Sequence, residues 1–235
     1  MARRTLLDSS PHRRCVQILA IVSLLLTPVP AGAQDDFRIF AGGLIGVSTL
    51  SADARSVATE SGAALSLYDP ENGLAVSVFG GRDLAQYFSV QANWIWNRND
   101  ITLVSSSVRP QDGGFYEQRR HSRQHAIVLD GLIYFRRRDS AVRPYLGTGL
   151  SLIHFETSIV GTSARGLAPP TGEVSSTHFG LRSHVGIDFR LSRRTSLRYT
   201  FSETISSNPI GSSMTPPGRR GLMNFQNLFG FLQRF

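Results

Sequence analysis

At 235 residues, with 41% hydrophobic and 18% charged side chains, the chain has room for one or two packed domains and is neither disordered nor collagen-like in composition. Its net charge is +8, with arginine in place of lysine throughout, yet no basic helix or base-stacking motif accompanies the excess, so no nucleic acid is expected as a partner. The single cysteine, Cys15, excludes a disulfide framework.

Arg3, Arg4, Arg13 and Arg14 open the sequence, an apolar run fills residues 16–30, and Ala31, Gly32 and Ala33 precede Gln34. That order predicts a secretory signal peptide over residues 1–33, cut between Ala33 and Gln34, leaving residues 34–235 as one domain. The run is shorter than the roughly 20 residues a spanning helix needs. Cleavage would also remove Cys15, so the mature domain has to rely on packing and hydrogen bonds.

From residue 37 onward the dominant signal is alternation with period two, which predicts strands. The first, 37–49, puts Phe37, Ile39, Ala41, Ile45 and Val47 on one face, and the second, near 73–81, continues it with Leu74, Val76 and Val78. The third sets Phe88, Val90, Ala92, Trp94 and Trp96 against Ser89, Gln91, Asn93 and Asn97, and the stretch 101–108 reads either as its extension or as a loop hairpin. In the fourth, about 124–135, only Asp130 suggests an inward face, which sends Ile127, Leu129, Ile133 and Phe135 outward. The fifth, 143–156, mixes Leu146, Leu150 and Leu152 with Gly147, Gly149 and Ser151, the small residues a narrow interior favours. The sixth alternates Phe179, Leu181, Val185, Ile187 and Phe189 with Arg182, His184, Asp188 and Arg190. The seventh, 196–205, opposes Leu197, Tyr199, Phe201 and Ile205 to Ser196, Arg198, Thr200 and Ser202. The eighth closes the chain with Phe225, Phe229, Phe231 and Phe235 on one side and Asn224, Gln226 and Arg234 on the other, although Asn227 and Gln233 interrupt the apolar face.

Short polar turns join strands two to three, four to five and six to seven, and longer segments rich in Gly, Ser, Pro and Arg make the other connections. This sorting predicts an all-β fold, an eight-stranded antiparallel up-and-down transmembrane β-barrel with both termini on the periplasmic side of an outer membrane. Inside a bilayer only a closed sheet satisfies its backbone, and a tilted strand crosses in about 9 to 11 residues. Trp94 and Trp96 toward the outer side, and Phe37, Phe135 and Phe235 toward the periplasmic side, suit the two headgroup boundaries. The soluble alternative, a lipocalin-like barrel, would enclose its apolar face around a ligand and leave the charges outside.

Three stretches carry a family likeness: "RPYLGTGLSL" at 143–152, "VGIDFRLSRRTSLRYTFS" at 185–202 and the terminal "NLFGFLQRF". The chain resembles small bacterial outer-membrane barrels of the OmpA-like and OmpX-like kind over about residues 36–235. The resemblance implies that Phe225, Phe229, Phe231 and Phe235 belong to a carboxy-terminal signal read by the outer-membrane assembly machinery. The chain is expected to be without the periplasmic peptidoglycan-binding domain of full-length OmpA-type proteins, so a cell-wall tether is not expected to carry over.

A barrel of eight strands is just wide enough for side chains to fill it. Arg182, His184, Asp188, Arg190 and Arg198, with Arg38 and Asp130, are therefore expected to form an interior ion-pair network, whose functional alternative is a narrow ion path. No catalytic, cofactor or metal residues are assigned. Some outer-membrane barrels of this size are lipid A deacylases, with a His two residues before a Ser on a lipid-facing strand; here the position two before Ser202 is Thr200, and neither Ser176 with His178 nor Ser183 with His184 matches that motif. His121 and His125 lie roughly 13 Å apart at strand spacing and are flanked by Arg119, Arg120 and Arg123, so a solvated rim is expected there rather than a metal site. Those arginines, with Arg219 and Arg220, are candidates for pairing with lipopolysaccharide phosphates. The long loops read as exposed binding surface for an unnamed extracellular ligand. The function expected is thus a structural or surface-interaction role without catalysis, with an outer-membrane lipid-modifying enzyme as the alternative.

Overall fold

The computed structural model describes residues 39–51, 56–57, 64–70, 72–107, 113–211 and 221–235. The expected cleavage site at Ala33 and Gln34, and Phe37, Arg38, Arg219 and Arg220, lie outside them.

Ten strands follow in order: β1 Ile39–Ser51, β2 Ser56–Val57, β3 Ala64–Pro70, β4 Asn72–Asp83, β5 Phe88–Ser107, β6 Phe115–Tyr134, β7 Val142–Arg165, β8 Val174–Arg190, β9 Thr195–Ser207 and β10 Gly221–Arg234. Eight of them make the barrel. β4, β5, β6, β7, β8, β9, β10 and β1 follow one another around a ring, every pair antiparallel, and β1 closes it by pairing with both β10 and β4. β3 extends the line of β4 along the upper part of β5, from Pro70 beside Ile101 to Ala64 beside Ser107, and β2 pairs with β3.

Alternation decides which side chains meet which solvent. Ile45, Val78, Trp94, Ile127, Leu129, Leu150, Leu181, Phe229 and Phe231 all point outward, and Phe179 is 78% exposed. No water-soluble surface keeps so continuous an apolar band, whereas hydrocarbon makes it favourable. The fourth and fifth predicted strands face as expected: Asp130 points inward, and Leu146, Leu150 and Leu152 point outward. Phe225 also lies on the outer face, stacked on Phe201 with ring centroids 6.3 Å apart. The two interruptions in β10 are neutralised in place, because the Tyr199 hydroxyl donates to Asn227 at 2.9 Å and the Thr195 hydroxyl to Gln233 at 2.8 Å.

Strand lengths correct the sequence reading. β5 and β6 each run 20 residues and β7 runs 24, against 13 in β1 and β9, so three neighbouring strands continue past the apolar band at the end bearing the long connections. The stretch from 101 is an extension of β5, not a hairpin of its own, and 160–165, read from sequence as loop, belongs to β7. The surplus is seven residues in β5 and β6 and eleven in β7, roughly 25 to 35 Å of strand. Outward side chains change at one height: on β5 Trp94 and Trp96 give way to Arg98 and Asp100, on β6 Ile127 gives way to His125 and Arg123, and on β7 Leu152 gives way to His154 and Glu156.

Among the described residues, three apolar clusters lie inside. Phe40, Leu44, Phe79, Leu132, Tyr134 and Tyr145 pack toward the short-turn end, and Ile95, Ala126, Val128 and Ile153 form a smaller group. Leu50, Ile101, Leu103, Tyr116, Phe155, Ile210 and Leu222 form the third toward the long-loop end.

Candidate functional site

Polar side chains fill the space between these clusters, each placed by the inward phase of its strand. Near the short-turn end, Arg198 of β9 faces its cross-strand partner Asp188 of β8 and grips it with two bonds, Nε at 2.6 Å and a terminal nitrogen at 2.9 Å. The same guanidinium donates to Gln91 of β5 at 2.7 Å and to the Tyr134 hydroxyl of β6 at 2.9 Å, and lies 4.8 Å from the centroid of the Tyr145 ring. Arg234 reaches Asp188 at 3.6 Å and donates to Ser196 at 2.9 Å. One arginine thus ties together strands on opposite walls.

A second knot lies farther in. Asp130 accepts from Arg182 at 2.9 Å and from Asn93 at 2.6 Å, and His184 Nε2 stands 3.6 Å from the same carboxylate. Arg182 also donates to Ser202 at 3.2 Å, and a chain of amides carries the connection on from Ser202 to Gln226 and from Gln226 to Asn97. Gly149 and Gly147 make room for this knot, because a Cβ at either would overlap Asp130 or the His184 ring.

Four of the five residues assigned from sequence to the interior, Arg182, His184, Asp188 and Arg198, are buried, and Arg190 is not. Arg190 has the right phase, but it is the last residue of β8, where the wall ends and the side chain leaves into solvent. Arg120 needs the opposite correction. Grouped from sequence with the exposed Arg119 and Arg123, it is buried, because it shares the inward phase of Gln118, Ser122, Gln124 and Asp130 along the regular alternation of β6.

Arg120 secures the connection between β7 and β8. It donates to the Pro170 carbonyl at 3.0 Å, the Gly172 carbonyl at 3.1 Å, Thr157 at 3.1 Å and Gln118 at 2.7 Å, while Leu167 packs on the apolar cluster below. Replacing Arg120 by Ala strips the Gly172 carbonyl of its donor and leaves the Pro170 carbonyl to Gln118 alone, 3.1 Å away, and is expected to cost about 1 to 3 kcal/mol of local stability. Hydrogen exchange over residues 166–173 should accelerate while the amides of β8 below Leu181 keep their protection; unchanged exchange in that segment would refute the latch.

The short-turn end holds a further knot that sequence reasoning missed. Asp83 accepts from Ser89 at 2.5 Å and has Arg138 Nε at 3.1 Å and Arg143 at 3.8 Å, and Arg143 lies 3.4 Å above the centre of the Tyr134 ring. Phase alone would have placed Arg143, two residues before the inward Tyr145, on the inner face.

The stretch weighed from sequence as a deacylase-like site does not present a serine to lipid. Thr200 and Ser202 are buried within the barrel, not turned to lipid, and Ser202 uses its hydroxyl on Gln226 while accepting from Arg182. On the outer face His121 pairs with Asp100 at 2.5 Å, His125 lies 6.0 Å from the Trp94 ring centre, and His154 contacts Glu156 at 3.0 Å and Thr177 at 2.9 Å. Among the described residues no group of three His, Cys, Asp or Glu side chains converges on a common point.

A closed ring of eight antiparallel strands, apolar outside and knotted by ion pairs within, is the architecture of an outer-membrane barrel protein. The family described as outer membrane protein beta-barrel domain matches residues 19–222, and the chain belongs to it. Among solved structures, OprG from Pseudomonas aeruginosa is 13% identical, with a TM-score of 0.53 over 85% of this chain and 96% of that one. Neisserial surface protein A is 14% identical, with a TM-score of 0.49 over 85% and 97%. At such identities the likeness concerns the fold alone. No curated protein matches the chain.

Proposed function

We propose that the chain is a non-enzymatic integral protein of the outer membrane, with its termini and short turns in the periplasm and its tall sheet outside, where it serves surface interaction. The observation that carries this reading is the edge of that sheet. β8 begins at Val174 opposite Thr157, so among the described residues Ser158–Arg165 of β7 pairs with β6 on one side and with no strand on the other. The segment is exposed, holds Ile159, Val160 and Thr162, and contains no Pro, so its free amide and carbonyl groups are a template for an extended partner segment. Below it, Arg98 and Arg123, opposite one another on β5 and β6, stand just beyond the apolar band, at the height suited to lipopolysaccharide phosphates, and Arg119 stands level with Gly161 of the edge itself. The phenylalanines of β10 would present the carboxy-terminal signal to the assembly machinery before closure.

Labelling of single cysteines with a membrane-impermeant maleimide, in a Cys15→Ser background, tests the orientation on which this depends. Gly161→Cys should label in intact cells and Arg193→Cys only after the outer membrane is permeabilised. The reverse pattern would turn the tall sheet toward the periplasm and end the surface-interaction reading.

A further inference from the structure

The short-turn end carries charge that the interior does not use. Arg136 and Arg137, in the turn after β6, and Arg190, Arg193 and Arg194, around the turn after β8, are all exposed. The two turns are neighbours on the rim, joined by a hydrogen bond from the Arg190 amide to the Ala141 carbonyl at 2.8 Å. The third turn, Leu84 to Tyr87, carries no charge, so the arginines form an arc on one side of the rim. Asp139 is the sole exposed acid of the two basic turns among the described residues; it lies 3.6 Å from Arg137 with both side chains in water, a pairing that neutralises little.

The arc borders the lipid-facing band directly. Phe135 precedes Arg136, Phe189 precedes Arg190, Leu191 lies between Arg190 and Arg193, and all three apolar side chains are exposed on the outside. Guanidinium groups one to three residues beyond side chains that contact acyl chains sit at the depth of a lipid phosphate. The backbone holding them is already fixed: the Leu191 and Ser192 amides donate to Thr195, and the Ser192 hydroxyl accepts from the Arg194 and Thr195 amides at 3.2 and 3.1 Å. Little order remains to be acquired on binding.

We infer that this arginine arc is a binding site for anionic phospholipid headgroups in the leaflet that surrounds the short turns, with guanidinium groups pairing to phosphate oxygens and Phe135, Phe189 and Leu191 seating the acyl chains. A guanidinium presents paired donors that match phosphate, and each basic side chain near an anionic surface strengthens attachment several-fold. The leaflet assignment rests on the orientation proposed above; the lipid preference does not.

The test reconstitutes the full barrel in vesicles of mixed phosphatidylcholine and phosphatidylglycerol, extracts it gently and counts retained lipid by native mass spectrometry. The unaltered protein should retain phosphatidylglycerol in preference to phosphatidylcholine. The variant R136Q/R137Q/R193Q/R194Q should lose that preference at least about tenfold, and R98Q/R119Q/R123Q/R165Q, which removes the same charge from the other end, should keep it. Circular dichroism of both variants confirms that the barrel is intact. Equal retention of the two lipids by the unaltered protein, or equal loss in both variants, overturns the proposal. So does displacement of the lipid by inorganic phosphate at moderate concentration, which would make the arc a site for free phosphate, or capture of soluble peptidoglycan fragments in place of lipid. Inverted cysteine labelling in cells with the vesicle preference intact would move the site to the other leaflet without abolishing it.

Discussion

Replacing Arg198 by Met is expected to destabilise the barrel by about 3 to 5 kcal/mol, the cost of leaving a buried carboxylate without its partner. Asp188 would keep only Arg234, 3.6 Å away, and both Gln91 and the Tyr134 hydroxyl would lose a donor. Arg190→Met is the matched control: the residue belongs to the neighbouring strand and lies at the same end of the barrel, but it is exposed, and its loss should stay within about 0.5 kcal/mol. Urea unfolding in lipid vesicles, followed by the β-sheet circular dichroism signal, gives both numbers. If the two substitutions cost the same, Arg198 is not a keystone of the interior. Asp188→Leu combined with Arg198→Met should recover part of the loss, because removing both charges leaves no buried ion unpaired.

The contrast between Arg190 and Arg198 also shows how far the sequence could be read. Period-two alternation carries phase, and phase alone placed Asp130, Arg182, Asp188 and Arg198 inside and Phe179, Phe229 and Phe231 outside. What phase does not carry is height. Arg190 and Arg182 share a face of β8, but one lies past the end of the wall and the other in its middle, and that difference depends on where neighbouring strands stop. Height likewise hid the tall sheet: the outward residues of β5 and β6 turn polar above Trp96 and His125, so the strand signal fades where the strands themselves continue. Arg120 was legible in principle, since its phase matches Asp130 ten residues on, but neighbouring charges drew it into an apparent surface cluster. Pairings across the barrel, such as Arg182 with Asp130 at a separation of 52 residues, follow from strand number and stagger acting together and leave no local trace. The arginine arc shares that property, for it exists only because two separate turns become neighbours on the rim.

Closure itself supplies the other large effect. β1 and β10 join the ends of the sheet, and their inward faces carry Gly46 and Gly230 at points where the backbones curl tightly together. A Cβ at Gly46 would overlap the Asn227 carbonyl oxygen, and one at Gly230 the Gly43 carbonyl oxygen; backbone atoms fixed by the ladder have nowhere to move. Gly46→Val should therefore break the Val47–Asn227 neighbourhood of the seam and cost about 4 kcal/mol or more, among the most damaging of single substitutions. The penalty goes beyond packing, because a barrel open at one seam exposes two strand edges to hydrocarbon, where neither water nor a neighbouring strand satisfies them. Gly43, three residues earlier on the same strand, points outward, and a Cβ there meets only the Ser77 carbonyl at an ordinary 3.8 Å. Gly43→Val should fold with undiminished yield and gain a lipid-facing side chain of high strand propensity. Folded yield in vesicles, compared for the two variants, separates the explanations: a deficit confined to Gly46→Val locates the constraint in the curl of the closing seam, while equal deficits would mean that β1 tolerates no branched side chain on either face.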